Sequence, residues 1–193
     1  MYDYISNFWE GSAYYWECHV GLRVMVPEKG DLSGPNKWRG INLMDICSKI
    51  FSSIFNNNCF KLLNNHGIKT QSGGTSNLGC HDGVFILKTL LRQLWQHNLS
   101  SYVVSVDLAK AYSTANHALL IKILELYGGP PKLCASISQL YTGTTVVRTI
   151  VKEEAKINQT IGVRQGDNLS PVSFLFIMSA VTTCQIFGNI MEQ

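Results

Sequence analysis

Charge is scarce in this sequence. Only 15% of its 193 residues are charged, and 16 basic against 13 acidic residues leave a net +3, where an average soluble domain carries roughly 25% charged residues. A strongly basic nucleic-acid tail and an acidic solvating tract are therefore both absent, and +3 permits an anionic partner without arguing for one. No C-x-x-C pair occurs among the six cysteines, which removes the main support for zinc ribbons, fingers and thioredoxin-like sites. Cys18-His19 and Cys80-His81 are adjacent pairs, a spacing that rarely turns both side chains toward one ion. No G-x-S-x-G elbow and no H-E-x-x-H pattern appears, so acyl transfer and zincin hydrolysis have no foothold. Repeats and low-complexity tracts are missing too, and the composition excludes collagen, coiled coil and disulfide knot. What is there is apolar mass, 46% of the chain, enough for a real core in one large domain or one and a half small ones.

Met1–Trp16 is aromatic and acidic, with neither a basic n-region nor an apolar h-region. An intracellular protein, cytoplasmic or nuclear rather than secreted and with reduced thiols, is the expectation. Pro171–Gly188 is largely apolar and uncharged. It carries Ser173, Ser179, Thr182, Thr183 and Gln185 and lacks flanking basic clusters, so it reads as a fully buried core helix rather than a membrane span.

Gly21–Val26 reads as a short strand ended by Pro27, before a turn-rich loop over 28–36. From Asp45 the spacing turns helical, with Ile46, Ile50, Phe51, Ile54, Phe55, Cys59, Leu62 and Leu63 on one stripe, capped by Asp45 or Asn42 and ended by Gly67. After a Gly-rich loop, a second helix places Val84, Leu87, Leu90, Leu91 and Leu94 on one face and stops near Asn98. Tyr102–Val106 is a β-branched run of strand length. Helices over 118–127 and 132–141 follow, then a hairpin over 146–151 and 155–161, then a loop leading to Ser170-Pro171, a hydroxyl cap and first-turn proline for the last helix. The order predicts an α/β (α+β) layer fold.

Two segments are candidates for chemistry. Asp107 closes the predicted 102–106 strand, and a carboxylate there is expensive unless paired or met by a cation. A helix cap or a salt bridge to Lys110 would also satisfy it. Gly162-Val163-Arg164-Gln165-Gly166-Asp167 places Arg, Gln and two glycines directly before a helix N-terminus, where backbone can approach an anion closely; an ordinary strand-to-helix connection has the same outline. Gly74–Gly79 has the glycine spacing of a phosphate loop, but Cys80-His81 stands where Lys and Ser/Thr are required.

In chain order these segments resemble one family. Val26-Pro27-Glu28-Lys29-Gly30-Asp31, Lys37-Trp38-Arg39-Gly40-Ile41 and the Cys47–Ile50 helix resemble the fingers of a non-LTR retrotransposon reverse transcriptase. Gln71–Asp82 resembles the next fingers block. Val106-Asp107-Leu108-Ala109-Lys110-Ala111-Tyr112 with Asn116-His117, and Gly162–Gly166 through Pro171, resemble two palm motifs. The resemblance runs from about Val24 to Val181.

It implies a right-hand polymerase fold, with fingers over 1–101 and an incomplete palm over 102–193. It implies an RNA template, a DNA primer and a deoxynucleotide as partners, and two Mg²⁺ ions held by hard oxygen ligands. Asp107 would be a catalytic metal ligand, and the Leu108 carbonyl would hold the nucleotide's metal. Lys29, Arg39, Ala111, Tyr112, Gln165 and Gly166 would bind nucleotide. Tyr112 would sit under the sugar and exclude a ribose 2′-hydroxyl, unless it is simply a buried aromatic. Arg164 would contact template, unless it is merely a solvated arginine. Glu28 stands where the family has a phosphate-binding lysine, with Lys29 one step later, and Ser113 stands where Asp is common. The family's paired aspartates and thumb are not seen before Gln193, so the chain alone is expected not to polymerise and to leave a sheet edge exposed. Asp107 and Gln165 are expected to face one cleft, with Arg39 across it.

Overall fold

The computed structural model of the chain describes residues 2–11, 20–28, 32–34, 37–66, 71–75, 77–150 and 153–191. Among them the order is α1 (Tyr2–Trp9), β1 (Val20–Pro27), β2 (Trp38–Leu43), α2 (Ile46–His66), α3 (Cys80–Gln96), α4 (Ala111–Thr114), α5 (His117–Leu126), α6 (Pro131–Tyr141), β3 (Thr145–Ile150), β4 (Glu153–Asn158) and α7 (Leu169–Met191). This is the mixed α/β composition expected. Gly67, the anticipated stop of α2, lies outside the described residues, as does Lys29.

One four-stranded sheet has the order β2-β1-β3-β4. β1 pairs antiparallel with β2, Leu22 opposite Leu43 and Pro27 opposite Trp38. It pairs parallel with β3, Val20 opposite Thr145, and β3–β4 is the anticipated hairpin. Strands from both sides of residue 101 thus share a layer.

The core lies among the helices. Phe8 of α1, Phe51 and Phe55 of α2, Leu120 and Leu124 of α5, Ile137 and Leu140 of α6, and Leu169, Val172 and Phe176 of α7 are all buried in one cluster. Phe8 and Phe51 rings lie 4.6 Å apart. Each such side chain contributes about 1.5–3 kcal/mol when fully buried, which is what fixes α7 against α2 and α5. Asp45 caps α2, its Oδ1 accepting the Ser48 amide at 3.0 Å; Asn42 is engaged elsewhere.

Several expectations fail. Tyr102–Val106 is not a strand: residues 101–108 lack regular structure and are exposed, Tyr102 at 98% and Val104 at 84%. No described strand pairs with them, and strand propensity without a partner edge forms no ladder. Asp107 therefore does not close a buried strand. On α2 the predicted Phe51, Phe55, Cys59 and Leu63 are buried, but Ser48 and Ser52 are enclosed with them while Ile46 is 74% exposed. On α3 the predicted apolar face exists but no residue of that helix is buried among the described residues, Leu91 and Leu94 being half-buried. At α7, Ser170 is not the cap: its hydroxyl donates to the Arg164 carbonyl at 2.7 Å, and Asp167 Oδ1 accepts the Leu169 amide instead. Nor is α7 enclosed all round, as Val181 is exposed. Among the described residues no helix is long and apolar enough to cross a membrane.

Candidate functional site

The loop over 162–167 is fastened to three elements, and its sequence explains how. Gly162 has φ +85°, and a Cβ there would sit 2.8 Å from the Ser113 carbonyl oxygen. Only glycine combines that backbone with that approach. Its amide donates to the Ala115 carbonyl and the Val163 amide to the Tyr112 carbonyl, both at 2.7 Å. The Gly162 carbonyl receives His117 Nε2 at 2.8 Å and Gln159 Nε2 at 2.9 Å. Because a carbonyl only accepts, that contact puts the proton of His117 on Nε2.

The far end of the loop is pressed onto the sheet. The Gln165 carbonyl accepts the Asn42 amide of β2 at 2.7 Å. At Gly166, φ is +102° and a Cβ would meet the Asn42 carbonyl oxygen at 2.5 Å, so a side chain there would lift the loop off β2. Gln165, half-buried, is thereby held between the 112–115 turn and the strand that carries Arg39 three residues before Asn42.

Between these anchors Arg164 turns inward. Its guanidinium is 1% exposed and lies 3.3 Å from the Asp167 carboxylate, itself fully enclosed. An enclosed pair of this kind is costly to break, because either partner alone would be a buried uncompensated charge. Arg164 in this conformation fixes the loop and offers no surface to a template strand. Tyr141 packs beneath: its ring stacks on His117 at 4.8 Å and its hydroxyl meets Ser173 Oγ at 3.2 Å. Burial, with the Asp167 carboxylate nearby, pushes its phenol well above the ordinary value of 10.0.

Upstream of the turn, Asp107 and Leu108 lie on the exposed 101–108 segment. Lys110 has the left-handed φ of +52°, which swings the chain into α4 and leaves Ala111 and Tyr112 half-buried. The Tyr112 ring stacks on Phe174 of α7 at 5.2 Å and 21°, so it is both partly a core aromatic and a wall of the turn that receives Val163. Arg39 is exposed, and its Nε donates to Glu28 Oε1 at 2.9 Å. The acidic residue standing in the lysine's place is thus the partner of the nearby arginine. Exposed pairs of this sort contribute about 0–1 kcal/mol, so a phosphate could displace the carboxylate.

The structure therefore brings together Gln165, Gly166 and Tyr112, while Arg39, three residues from Asn42 on β2, is paired with Glu28. It leaves Asp107 and Leu108 on an open segment five and four residues before Tyr112. Residues with a part in this arrangement that the sequence reading did not single out are Asn42 as an anchor, Gln159, and Asp167 as the partner of Arg164. Only Asp167 had a legible signal, an i,i+3 spacing from an arginine inside a Gly-rich loop. As to metals, no three His, Cys, Asp or Glu side chains gather among the described residues. Asp107 offers one carboxylate, which by itself does not fit a two-ion site.

Comparison with known proteins points the same way as the motifs. The chain is 26% identical over 156 residues to the Retrovirus-related Pol polyprotein from type-2 retrotransposable element R2DM of Drosophila melanogaster, a match spanning 80% of this chain and 15% of that protein. It is 27% identical over 177 residues to the corresponding polyprotein from type-1 retrotransposable element R2 of Popillia japonica, covering 88% of this chain and 25% of that one. Identity to the Transposon TX1 uncharacterized 149 kDa protein of Xenopus laevis is 26% over 161 residues, 79% of this chain and 12% of the other. The chain thus spans a quarter or less of the length of these relatives. Residues 26–185, from the end of β1 into α7 and including every contact of the 162–167 loop just described, match the family described as reverse transcriptase (RNA-dependent DNA polymerase), and the chain belongs to that family.

Proposed function

We propose that this chain supplies the nucleotide- and template-facing part of an RNA-directed DNA polymerase of a retroelement, with fingers over 1–101 and part of a palm over 102–193. The observation that carries the reading is the double docking of the 162–167 loop, by Val163 on the Tyr112 carbonyl and by Gln165 on the Asn42 amide, both at 2.7 Å. Three separated segments of the matched region meet there. In the proposed roles Arg39 grips phosphate oxygens with a planar, permanently charged fork. Lys29 assists it, Ala111 offers backbone to the triphosphate, and Gln165 and Gly166 lie against the nascent base pair. Tyr112 crowds a ribose 2′-hydroxyl, and Arg164 supports the template side by holding the loop's shape.

The family's Mg²⁺ would supply charge for in-line transfer to the primer hydroxyl. Asp107 with the Leu108 carbonyl would contribute oxygen ligands to it. One carboxylate does not complete such a site, so these 193 residues by themselves bind hybrid and nucleotide and do not extend a primer. A labelled RNA–DNA primer–template titrated with the chain tests this. Expected are salt-sensitive binding, a gain in affinity with a complementary dNTP but not with the matching rNTP, and loss of that discrimination in Tyr112→Ala. Equal response to dNTP and rNTP, or none, contradicts the assignment.

A second reading, a nucleic-acid-binding remnant without chemistry, is favoured by one contact, the Arg39–Glu28 pair. Hybrid binding that no nucleotide strengthens, in Glu28→Lys as in the parent sequence, is its signature.

A further inference from the structure

We propose that Arg23, on β1 and outside every segment that carries the family resemblance to a polymerase, is a positioning residue for the 162–166 loop, acting through Gln159. The inference rests on the proposed nucleotide site but concerns a part of the molecule that touches no nucleotide.

Arg23 is half-buried on a strand interior to the sheet. Its Nε donates to Asn42 Oδ1 at 3.0 Å and its Nη2 to Gln159 Oε1 at 3.3 Å. Those two acceptors are the two ends of the loop's harness. Asn42 is the residue whose amide holds the Gln165 carbonyl, and Gln159 donates its own amide to the Gly162 carbonyl. One guanidinium therefore spans both docking points, work suited to a rigid fork of donors rather than to a single ammonium. The strand opposite is cut to receive it: a Cβ on Gly40 would lie 2.9 Å from Arg23 Cδ and 3.2 Å from its Nε. Gln159 is fixed in turn, its main-chain amide bonded to the Thr144 carbonyl at 2.7 Å. Its side-chain oxygen takes Arg23 while its nitrogen gives to Gly162, so the orientation of that amide is set by the pair it joins. Loosening Arg23 frees both ends of the loop together, and with them the placement of Gln165.

The test uses the whole chain and two readouts. Hydrogen exchange is followed at the amides of Gly162, Val163 and Asn42, with α6 amides as the internal standard. Affinity for an RNA template annealed to a DNA primer is measured with and without complementary dGTP and Mg²⁺. Arg23→Met keeps the length and removes the fork. The expected result is exchange at the three loop and strand amides at least tenfold faster, α6 unchanged, and at least a fivefold loss of the dGTP-dependent gain while affinity for the hybrid alone stays within twofold. Gly40→Ala, which displaces Arg23 without touching the loop, gives the same pattern. Gln159→Glu, which keeps the acceptor for Arg23 and loses the donor to Gly162, speeds exchange at Gly162 and Val163 and leaves Asn42 protected. Unchanged loop exchange in these variants overturns the proposal. So does an equal fall of hybrid affinity and dGTP response, the mark of a merely structural arginine. If the parent chain shows no dGTP response at all, the nucleotide reading fails. The exchange arm then decides alone, raised exchange supporting the brace and unchanged exchange refuting it.

Discussion

At the scale of single residues, the two glycines of the 162–167 loop can be separated from glycines that only permit a turn. Gly166 combines a positive φ with an oxygen 2.5 Å from where a Cβ would stand, while Gly128, at φ +79°, has open space around it. Gly128→Ala should cost about 1 kcal/mol, the backbone strain alone. Gly166→Ala should exceed it, at about 2–4 kcal/mol, since strain and a backbone clash add. Chemical denaturation of both variants reads the difference, and equal losses would mean the loop is not pressed onto β2. The buried ion pair makes a second claim. Asp167→Ala leaves the Arg164 guanidinium, 1% exposed, without its carboxylate, and should cost about 3–5 kcal/mol. A third concerns alkaline pH. Burial, with Cys134 nearby, pushes the Cys59 thiol from its ordinary 9.0 up to about 12. The native state then keeps a proton that the unfolded chain has lost, so the stability this thiol contributes is complete below pH 9 and declines as pH rises toward 12. Cys59→Ala should flatten part of that decline in denaturation midpoints taken from pH 8 to 11. The buried Tyr141 phenol, shifted in the same direction, keeps the rest.

At the scale of elements, what could be read from the sequence divides by whether an apolar face is packed. α2, α5 and α6 appear where periodicity placed them, within a residue or two, because their apolar faces share one core, and the β3–β4 hairpin appears with its second strand ending three residues early. Tyr102–Val106 has a strand's composition and α3 a helix's amphipathic stripe, yet hydropathy reports only that a face is apolar and not what covers it. The same limit explains α2: Ile46 and Ile54 looked like core but are exposed, and Ser48 and Ser52 are enclosed beside Phe51 and Phe55, since small side chains admit a close neighbour. The glycines at 162 and 166 were legible as permissive positions, whereas their particular partners, Ser113 and Asn42, are more than forty residues distant and no local pattern reveals them. A helix of 17 residues with no buried side chain is marginal in water by itself. Its amides should therefore exchange far faster than those of α6, which buries Leu133, Cys134, Ile137 and Leu140. Comparable protection in α3 and α6 would show that something covers α3.

At the scale of the whole molecule, the exposed side chains of α3, among them Phe85 at 71% and Trp95 at 79%, join those of the 99–106 segment in apolar surface uncommon on a stable monomer. Concentration-dependent association in sedimentation velocity is the expected consequence, and a sharp monomer boundary at all concentrations would count against it. The parts that are well packed are those that fix the loop: a helical core holding α7, a sheet holding β2, and the 112–115 turn between them. The most direct measurement is therefore photocrosslinking of the chain on an RNA–DNA primer–template with 4-thio-dTTP and Mg²⁺, mapped by mass spectrometry. Adducts concentrated at Arg39, Tyr112 and Gln165 and their immediate neighbours are the predicted result. Adducts confined to α3 or the β3–β4 hairpin, unaltered when 4-thio-UTP replaces the deoxynucleotide, would contradict it.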